Sequence, residues 1–302
     1  MATLRSILHM FDPKLHTSPF DINMAVDAGF DVVIPYHNVK LEEVTRLVQD
    51  TIFSRSPAGV KQTGIFIGGR NIGLAMDMLE ATKKAMVPPF VVSVLADPSG
   101  AFTTAAALVA CVEKELKAKH HGTLEGSRAV VFGGTGPVGI ATGVIAAKHG
   151  VDTTLVDHLN IDTALEKANH YNSVCGTKIR GTYASSDADK ARLVANADLI
   201  FCTARAGIQV LDASVLADAR QLKVAGDVNA VPPLGIEGIK RKHFGEPLEY
   251  ATASDGSVGI GALAVGDVKY RLQQALLREL LTSEEPVYFD FRDAFERARE
   301  LV

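Results

Sequence analysis

The chain has 302 residues, a formal net charge of −4 and 47% hydrophobic residues, which is the composition of a globular protein of about two domains. This balance excludes intrinsic disorder as the main state and leaves no basic surface for nucleic acid. No apolar run reaches the roughly 18 residues of a membrane span, and polar residues interrupt the N-terminal stretch where a signal peptide is apolar. We therefore expect a cytoplasmic protein with no membrane or nucleic-acid partner.

Short β-type runs alternate with helical patterns along the chain, which predicts parallel α/β layers. In the first third, the patterns predict strands at residues 7–11, 31–36, 63–69 and 90–95 and helices at 18–28, 41–50, 71–85 and 103–116. Residues 117–126 are expected to form a connector. A second series follows, with strands at residues 128–132, 151–156, 178–183, 199–203 and 223–228 and helices at 138–149, 165–172, 187–196 and 215–219. A long helix is expected after Gly259, and a last one at residues 291–301.

A glycine-rich turn after the strand at residues 128–132 is the sharpest local motif. Gly134, Gly136 and Gly139 fit the pattern G-x-G-x-x-G between a strand and a helix, which is typical of dinucleotide-binding folds. The first glycine permits a tight turn, the second lets the backbone approach a pyrophosphate, and the third lets helix and strand pack closely. The alternative is a structural turn in another α/β domain. We expect the pyrophosphate to bind at Gly134, Thr135, Gly136, Pro137 and Val138, at a helix N-terminus.

Asp157 ends the next strand, 18 residues after Gly139, where a carboxylate accepts hydrogen bonds from both ribose hydroxyls of an adenosine. An acid at this position repels the 2′-phosphate of NADP, and no arginine follows closely, so NAD is favoured, with NADP as a second option. His158 contacts a phosphate or lies on the surface. Ala204, in a small-residue loop after a strand, is expected to lie over the adenosine ribose. Asn229 also follows a strand, and it either faces the ligand or forms a polar turn before two prolines.

The chain offers no convincing acid–base residue for oxidising an alcohol. Tyr36 and Lys40 have the spacing Tyr-x-x-x-Lys, but they lie among turn residues at a strand end. The nine histidines show no metal-ligand spacing, and the three cysteines lie far apart without a Cys-x-x-Cys pair, so we expect no metal site and no disulfide. This pattern favours hydride transfer without proton transfer, such as oxidation of a methylene between two nitrogens.

Six segments together resemble the NAD(P)-dependent methylene-tetrahydromethanopterin dehydrogenases of methylotrophic bacteria. They are residues 18–21, 63–69, 103–107, 134–139, 227–236 and 259–263. The glycine motif alone is generic, whereas its combination with the last two segments is specific. The resemblance implies oxidation of the methylene of a tetrahydromethanopterin-type one-carbon carrier to the methenyl form, as a step in formaldehyde oxidation, by a homo-oligomer. NADP-specific members carry a basic residue near the position of Asp157, and this chain departs from them there.

The resemblance also implies two parallel α/β domains with the pterin in the cleft between them. Residues 1–116, joined by the helices at 262–302, are expected to form the substrate domain. Residues 117–261 are expected to form a Rossmann-type NAD(P)-binding domain. In this arrangement Asn229 and the loop at residues 259–262, which includes Gly261, would face the nicotinamide.

Phe20, Asp97 and Lys269 are the candidate contacts to the pterin. Phe20 lies in the first turn of a helix and would stack on the pterin or pack in the core, while Asp21 reads as a helix-start acid. Asp97 follows a strand and would bind the amino groups of the pterin or form a turn before a proline. Lys269 falls inside the apolar stripe of its helix, so it must snorkel, pair with Glu279 or reach a substrate oxygen.

Two other functions remain open on the sequence alone. The first is the same reaction on tetrahydrofolate, because enzymes of that carrier share the general fold. The second is a sensor that binds NAD without turnover, which would leave the candidate pterin contacts unexplained.

Overall fold

A computed structural model describes residues 4–302, and the chain divides into two compact units. The first unit contains the residues up to Thr103 together with Tyr270–Arg297, and the second contains Thr104–Lys269 together with Ala298–Val302. These divisions fall inside three helices, namely α5 (Ala101–His120), α10 (Ala262–Thr282) and α11 (Phe291–Leu301). The boundaries expected from the sequence, at residues 116 and 261, lie in or next to two of the same helices.

A five-stranded, fully parallel sheet forms the centre of the first unit. Its strands are β1 (Ile7–Phe11), β2 (Val32–Tyr36), β3 (Thr63–Ile67), β4 (Ser93–Ala96) and β12 (Tyr288–Phe289), and its shorter helices are α1 (Pro19–Asp27), α2 (Leu41–Phe53), α3 (Pro57–Val60) and α4 (Ile72–Ala85). The strands lie in the order β2-β1-β3-β4-β12. The order reverses between β1 and β3, and ligands of such sheets bind outside the carboxyl ends of the strands at the reversal.

A seven-stranded sheet forms the centre of the second unit. Its strands are β5 (Arg128–Phe132), β6 (Asp152–Asp157), β7 (Arg180–Tyr183), β8 (Leu199–Cys202), β9 (Val224–Asp227), β10 (Phe244–Pro247) and β11 (Val258–Ile260), and its helices include α6 (Pro137–Lys148), α7 (Ile161–Cys175), α8 (Asp187–Val194) and α9 (Ala213–Leu216). The order is β7-β6-β5-β8-β9-β11-β10, with β10 antiparallel at the edge. The six parallel strands have the order of a dinucleotide-binding Rossmann fold, which reverses between β5 and β8.

The prediction of a parallel α/β fold is confirmed, with local corrections. Lys117–His120 belong to the last turn of α5, so the connector is shorter than expected. Residues 259–262 do not form a loop, because Gly259 and Ile260 lie in β11 and Ala262 begins α10. Ser18 is the N-cap of α1, with Pro19 at the first helical position, but its side chain makes no capping hydrogen bond. The sequence patterns missed α3, β10, β11 and β12, which are too short to show a period of their own.

Glu115, on α5, is a buried carboxyl group whose Oε2 atom has no hydrogen-bond partner within residues 4–302. Burial raises its pKa above the ordinary value of 4.5, and Lys114 and Lys119 offset this only in part. A carboxyl group with a raised pKa destabilises the fold as pH rises through that pKa. We therefore expect Glu115→Gln to raise the melting temperature by about 2 °C or more at pH 8 and to change it little at pH 5. Circular dichroism reports this melting, since the chain has no tryptophan.

Glu113, two residues earlier on α5, provides the matched control. Its carboxylate accepts hydrogen bonds from Arg299 at 2.7 and 3.0 Å and forms an ion pair with Lys117. Although burial opposes ionisation, these contacts hold the pKa of Glu113 below its ordinary value. Glu113→Gln should therefore lower the melting temperature at pH 8. Equal effects of the two substitutions would contradict the role assigned to the unpaired Glu115 oxygen.

Candidate functional site

The glycine-rich turn joins β5 to α6, beside the point where the order of the strands reverses. Gly133 has a positive φ of +72°, and a Cβ placed there would lie 2.7 Å from the backbone nitrogen of Ala204. A Cβ at Gly134 would lie 2.7 Å from the oxygen of Val131, and one at Gly139 would lie 2.3 Å from the oxygen of Gly133. Backbone packing therefore requires glycine at these three positions.

Gly136 differs from the other glycines of the turn. A Cβ placed there would approach no other part of the chain more closely than 3.4 Å, and the backbone has an ordinary φ of −78°. The protein itself thus has room for a side chain at this position, at the N-terminus of α6. The first N–H groups of a helix have no partner within the helix and attract anions. The open space and these donors fit the pyrophosphate of a dinucleotide.

The five residues expected to hold the pyrophosphate do not contribute equally. Pro137 is the first residue of α6 and has no backbone N–H, so the amide of Val138 is a donor where that of Pro137 is not. Gly134 packs tightly against the backbone of β6, since a Cβ there would lie 2.8 Å from the nitrogen of Val156. Thr135 directs its hydroxyl toward Asp157.

Asp157 lies at the carboxyl end of β6 and is 6% exposed. The Thr135 hydroxyl donates to its Oδ2 atom at 2.5 Å, and the backbone N–H groups of Leu159 and Asn160 donate to its Oδ1 atom at 2.8 and 2.9 Å. Burial opposes ionisation of this carboxyl, but the three hydrogen bonds outweigh burial and lower its pKa. The group is therefore a fixed anion next to the glycine-rich turn.

The loop after β8 closes over this turn. The Thr203 hydroxyl donates to the oxygens of Phe132 and Gly133 at 3.0 and 3.2 Å, which holds the start of the loop against β5. Ala204, the next residue, packs against Gly133. The structure thus brings Ala204 together with the turn, whereas His158 is exposed at the start of the loop after β6.

Asn229 is 2% exposed and lies beneath two loops. Its side-chain oxygen accepts hydrogen bonds from the N–H groups of Gly207 and Val231, and its amide group donates to the oxygen of Pro233. These contacts position the loops after β8 and β9. That Asn229 also faces the nicotinamide stays a prediction.

Asp227, at the end of β9, is a buried residue that the sequence reasoning did not single out. Its carboxylate accepts hydrogen bonds from the backbone N–H groups of Asn229, Gly235 and Ile236 at 2.9, 2.8 and 3.2 Å. Burial raises its pKa in spite of these donors. Burial also raises the pKa of the neighbouring Cys202 thiol, and the Asp227 charge adds to that rise. Asp227 organises residues 227–236, and the available signal was a carboxylate at the carboxyl end of a strand.

Backbone packing leaves no room for a side chain at Gly261. A Cβ placed there would lie 2.1 Å from the oxygen of Lys240, and its N–H donates to the oxygen of His243 at 2.8 Å. These contacts account for the glycine, and its expected place at the nicotinamide stays a prediction.

Phe20 and Asp97 both lie in the first unit, near the carboxyl ends of β1 and β4. Phe20 is 48% exposed, so it does not pack in the core. Asp97 is fully buried, and its carboxylate accepts hydrogen bonds from the N–H groups of Phe102 and Thr103 and from the Thr103 hydroxyl. These contacts stabilise the start of α5, as expected of a helix-start acid. Asp21 is also buried, and the Gln273 amide donates to it at 3.0 Å.

Lys269 belongs to the second unit, on α10, and is half-buried. The apolar stripe predicted on this helix is buried at all five positions: Val265, Val268, Leu272, Leu276 and Leu280. Glu279 forms an ion pair with Arg297, at 2.6 Å. Lys269 lies beside this stripe, where its side chain can either extend to solvent or contact a ligand.

Asp12 and Lys14 are two of the polar residues that interrupt the N-terminal stretch of the chain. Asp12 follows β1 and Gly68 follows β3, where the order of the first sheet reverses. The Asp12 carboxylate is buried, accepts the N–H of Lys14 at 2.9 Å, and lies 3.4 Å from the Lys14 ammonium. A Cβ at Gly68 would lie 2.9 Å from this carboxylate, so glycine leaves room for it. Asp12 is a polar residue directly after a strand, and this is the same sequence pattern that made Asp97 a candidate site residue.

Between residues 4 and 302, no disulfide joins the three cysteines, and no group of three histidine, cysteine, aspartate or glutamate side chains is arranged to hold a metal ion. None of the helices described there combines the length and apolar character needed to cross a membrane.

Comparison with known proteins identifies relatives over the whole chain. Residues 19–99 match the profile of a family described as methylene-tetrahydromethanopterin dehydrogenase, N-terminal. The NAD(P)-dependent methylenetetrahydromethanopterin dehydrogenase of Methylorubrum extorquens is 46% identical over 298 residues, which cover 99% of each chain. The bifunctional protein MdtA of the same organism is 32% identical over the same share of both chains.

A solved structure supports the fold alone. Shikimate 5-dehydrogenase from Listeria monocytogenes, in complex with shikimate and NAD, superposes with a TM-score of 0.53 at 17% identity, covering 97% of this chain and 96% of that one. The parallel two-sheet architecture and the sequence identity to the first relative agree with the family suggested by the six sequence segments. The chain therefore belongs to the family of NAD(P)-dependent methylenetetrahydromethanopterin dehydrogenases.

Proposed function

We propose that the chain oxidises 5,10-methylene-tetrahydromethanopterin to the 5,10-methenyl form and transfers the hydride to NAD, with NADP as a second acceptor. The 46% identity over 99% of the chain to a dehydrogenase of that name carries the proposal. The open space at Gly136 and the fixed anion of Asp157 support the nucleotide half of the reaction. The same relative argues against a tetrahydrofolate enzyme or a sensor without turnover.

The bound dinucleotide supplies the hydride acceptor. The methylene carbon loses a hydride and becomes a methenyl cation, which the lone pair of the adjacent nitrogen stabilises. No proton leaves the substrate in this step, so the chain requires no acid–base residue. Its residues contribute by holding the two reactants in place.

For the nucleotide, we propose that the amides at the start of α6 bind the pyrophosphate beside Gly136. Asp157 accepts the ribose hydroxyls, Ala204 covers the ribose, and Asn229 holds the loops that line the site. Each of these roles is consistent with the order of strands in the second unit, where ligands bind at the carboxyl ends of β5 and β8.

For the substrate, we propose that Phe20 stacks on the pterin and that Lys269 contacts one of its polar groups. Asp97 acts indirectly, by holding the start of α5. Asp12 and Lys14 present a carboxylate and an ammonium at the reversal of the first sheet, and these groups match the amino and oxo groups of a pterin ring.

An absorbance assay at 340 nm tests the proposal. Purified chain is mixed with methylene-tetrahydromethanopterin and either NAD or NADP, and methylene-tetrahydrofolate is offered in parallel. We expect the absorbance to rise with the methanopterin substrate, faster with NAD, after correction for absorption by the methenyl product. A rise with the folate alone, or none with either carrier, would overturn the proposal.

Phe20→Leu tests the substrate half separately. Loss of the ring removes a stacking surface, so we expect KM for the pterin to rise by about tenfold, while Kd for NAD stays unchanged. Phe53→Leu is the matched control, since Phe53 is also an exposed phenylalanine of the first unit, 55% exposed and in contact with Phe90. It should leave both constants unchanged. An unaltered KM in Phe20→Leu would remove Phe20 from the substrate site.

We also propose that the protein works in the cytoplasm as a homo-oligomer, as the family resemblance implies. Light scattering of the purified chain, compared with the monomer mass of 32.2 kDa, tests the oligomer directly.

A further inference from the structure

The Thr135 hydroxyl has one proton, and the structure shows where that proton goes. The Oγ1 atom lies 2.5 Å from the Oδ2 atom of Asp157. An ionised carboxylate only accepts hydrogen bonds, so the threonine is the donor in this pair. With its proton committed to Asp157, the Thr135 oxygen has only lone pairs to offer to a ligand.

The Asp157 carboxylate is held in place and cannot rotate away from the Thr135 hydroxyl. Its Oδ1 atom accepts the N–H groups of Leu159 and Asn160 at 2.8 and 2.9 Å, which fixes the plane of the carboxylate from the other side. The group is 6% exposed, so water cannot replace these partners freely. Hydrogen bonds to a charged group are also stronger than neutral ones.

The pair therefore forms a surface of acceptors beside the glycine-rich turn. Residues 158–166 contain no lysine or arginine, and their single histidine, His158, has an exposed side chain. A ribose 2′-hydroxyl has a proton to donate and matches this surface. A 2′-phosphate at neutral pH offers negative charge and acceptor oxygens, which Asp157 and the Thr135 oxygen both repel.

We propose that Thr135 is a specificity-determining residue, which selects the 2′-hydroxyl of NAD against the 2′-phosphate of NADP by committing its proton to Asp157. The inference rests on the NAD(P)-binding part of the proposed function and is independent of the carrier that is oxidised.

Calorimetric titration of the whole chain with NAD and with NADP, without pterin, tests this role. Thr135→Ser keeps the hydroxyl and should retain the preference for NAD. Thr135→Val removes both the acceptor and the support of Asp157, so we expect the ratio of the two Kd values to shift toward NADP by about tenfold. Melting temperatures measured alongside establish that each variant is folded.

Asp157→Asn provides a second, independent arm. An asparagine amide can donate to the Thr135 oxygen, and the threonine proton then becomes available to a 2′-phosphate. We expect Asp157→Asn to improve NADP binding, and we expect adding Thr135→Val to this variant to weaken NADP binding again. The effect of Thr135→Val on NADP thus reverses sign between the two backgrounds, which a purely structural role of Thr135 does not produce.

Three outcomes would overturn the inference. The first is an unchanged ratio of affinities in Thr135→Val with neither Kd altered, the second is the same unchanged ratio produced by an equal loss of both dinucleotides, and the third is the same sign of its effect in both backgrounds. If Thr135→Val does not fold, Thr135→Ala is measured in the wild-type and Asp157→Asn backgrounds and decides by the same reversal. A wild-type chain that shows the NAD preference but oxidises no pterin would overturn the proposed function and leave this inference standing, whereas binding of neither dinucleotide would overturn both.

Discussion

Gly136→Ala is expected to weaken NAD binding by about 100-fold while leaving the melting temperature unchanged. The new methyl group meets no atom of the chain closer than 3.4 Å, so the fold accepts it. It would occupy the space at the N-terminus of α6 where we propose that the pyrophosphate approaches the backbone N–H groups. Calorimetric titration with NAD measures the loss, and circular dichroism measures the melting.

Gly139→Ala serves as the contrast, because its methyl group would lie 2.3 Å from the oxygen of Gly133 and 2.7 Å from the Cα of Gly134. Both neighbours are backbone and cannot move away cheaply. This variant should lose several kcal/mol of stability, of the order seen for overpacked cores. Normal NAD binding by Gly136→Ala would show that the dinucleotide does not pass over this residue.

Asp227→Ala is expected to lower the free energy of unfolding by about 3 kcal/mol or more. It leaves the N–H groups of Asn229, Gly235 and Ile236 without their acceptor in a buried position, and each unsatisfied buried donor costs about 1–3 kcal/mol. Urea unfolding followed by circular dichroism gives the value. NAD binding should weaken in the same variant, because residues 227–236 lose their anchor.

Asp212→Ala is the matched control for that substitution. Asp212 caps α9, and its carboxylate accepts the N–H of Val215 at 2.9 Å, but it lies at the surface. Loss of an exposed cap costs about 1 kcal/mol. If Asp227→Ala costs no more than Asp212→Ala, water must replace the lost acceptor, and Asp227 does not organise the loop as described.

The sequence predicted the parts of this site that depend on local backbone conformation. A short apolar run, a glycine turn and a helical pattern follow one another within residues 128–149, and each imposes its own conformation on neighbouring residues. The buried stripe on α10 was predictable for the same reason, because a period of 3.6 residues places its members on one face. The short strands β10, β11 and β12, of two to four residues, carry no such period and were missed.

The sequence did not predict which hydrogen-bond partner each polar side chain takes. Asp97 was expected to bind the pterin or to form a turn before a proline, and Asn229 was expected to face the ligand or to form a polar turn. In the structure the Asp97 carboxylate accepts the N–H group of Phe102, and the Asn229 side-chain oxygen accepts that of Gly207. Phe20 was equally compatible with a core position, and only the completed fold leaves its ring exposed. In the folded chain a polar side chain meets several possible hydrogen-bond partners, and the spacing of residues in the sequence does not predict which partner it takes.

By itself the sequence determined the alternation of strands and helices, the glycine turn with its terminal acid, and the family. The tertiary structure alone decided that the Thr135 proton belongs to Asp157, 22 residues away, and that Gly136 is the glycine of the turn with room around it. The reason is physical. Backbone conformation follows from neighbouring residues, whereas hydrogen-bond partners and free space depend on which distant segments the sheet brings side by side.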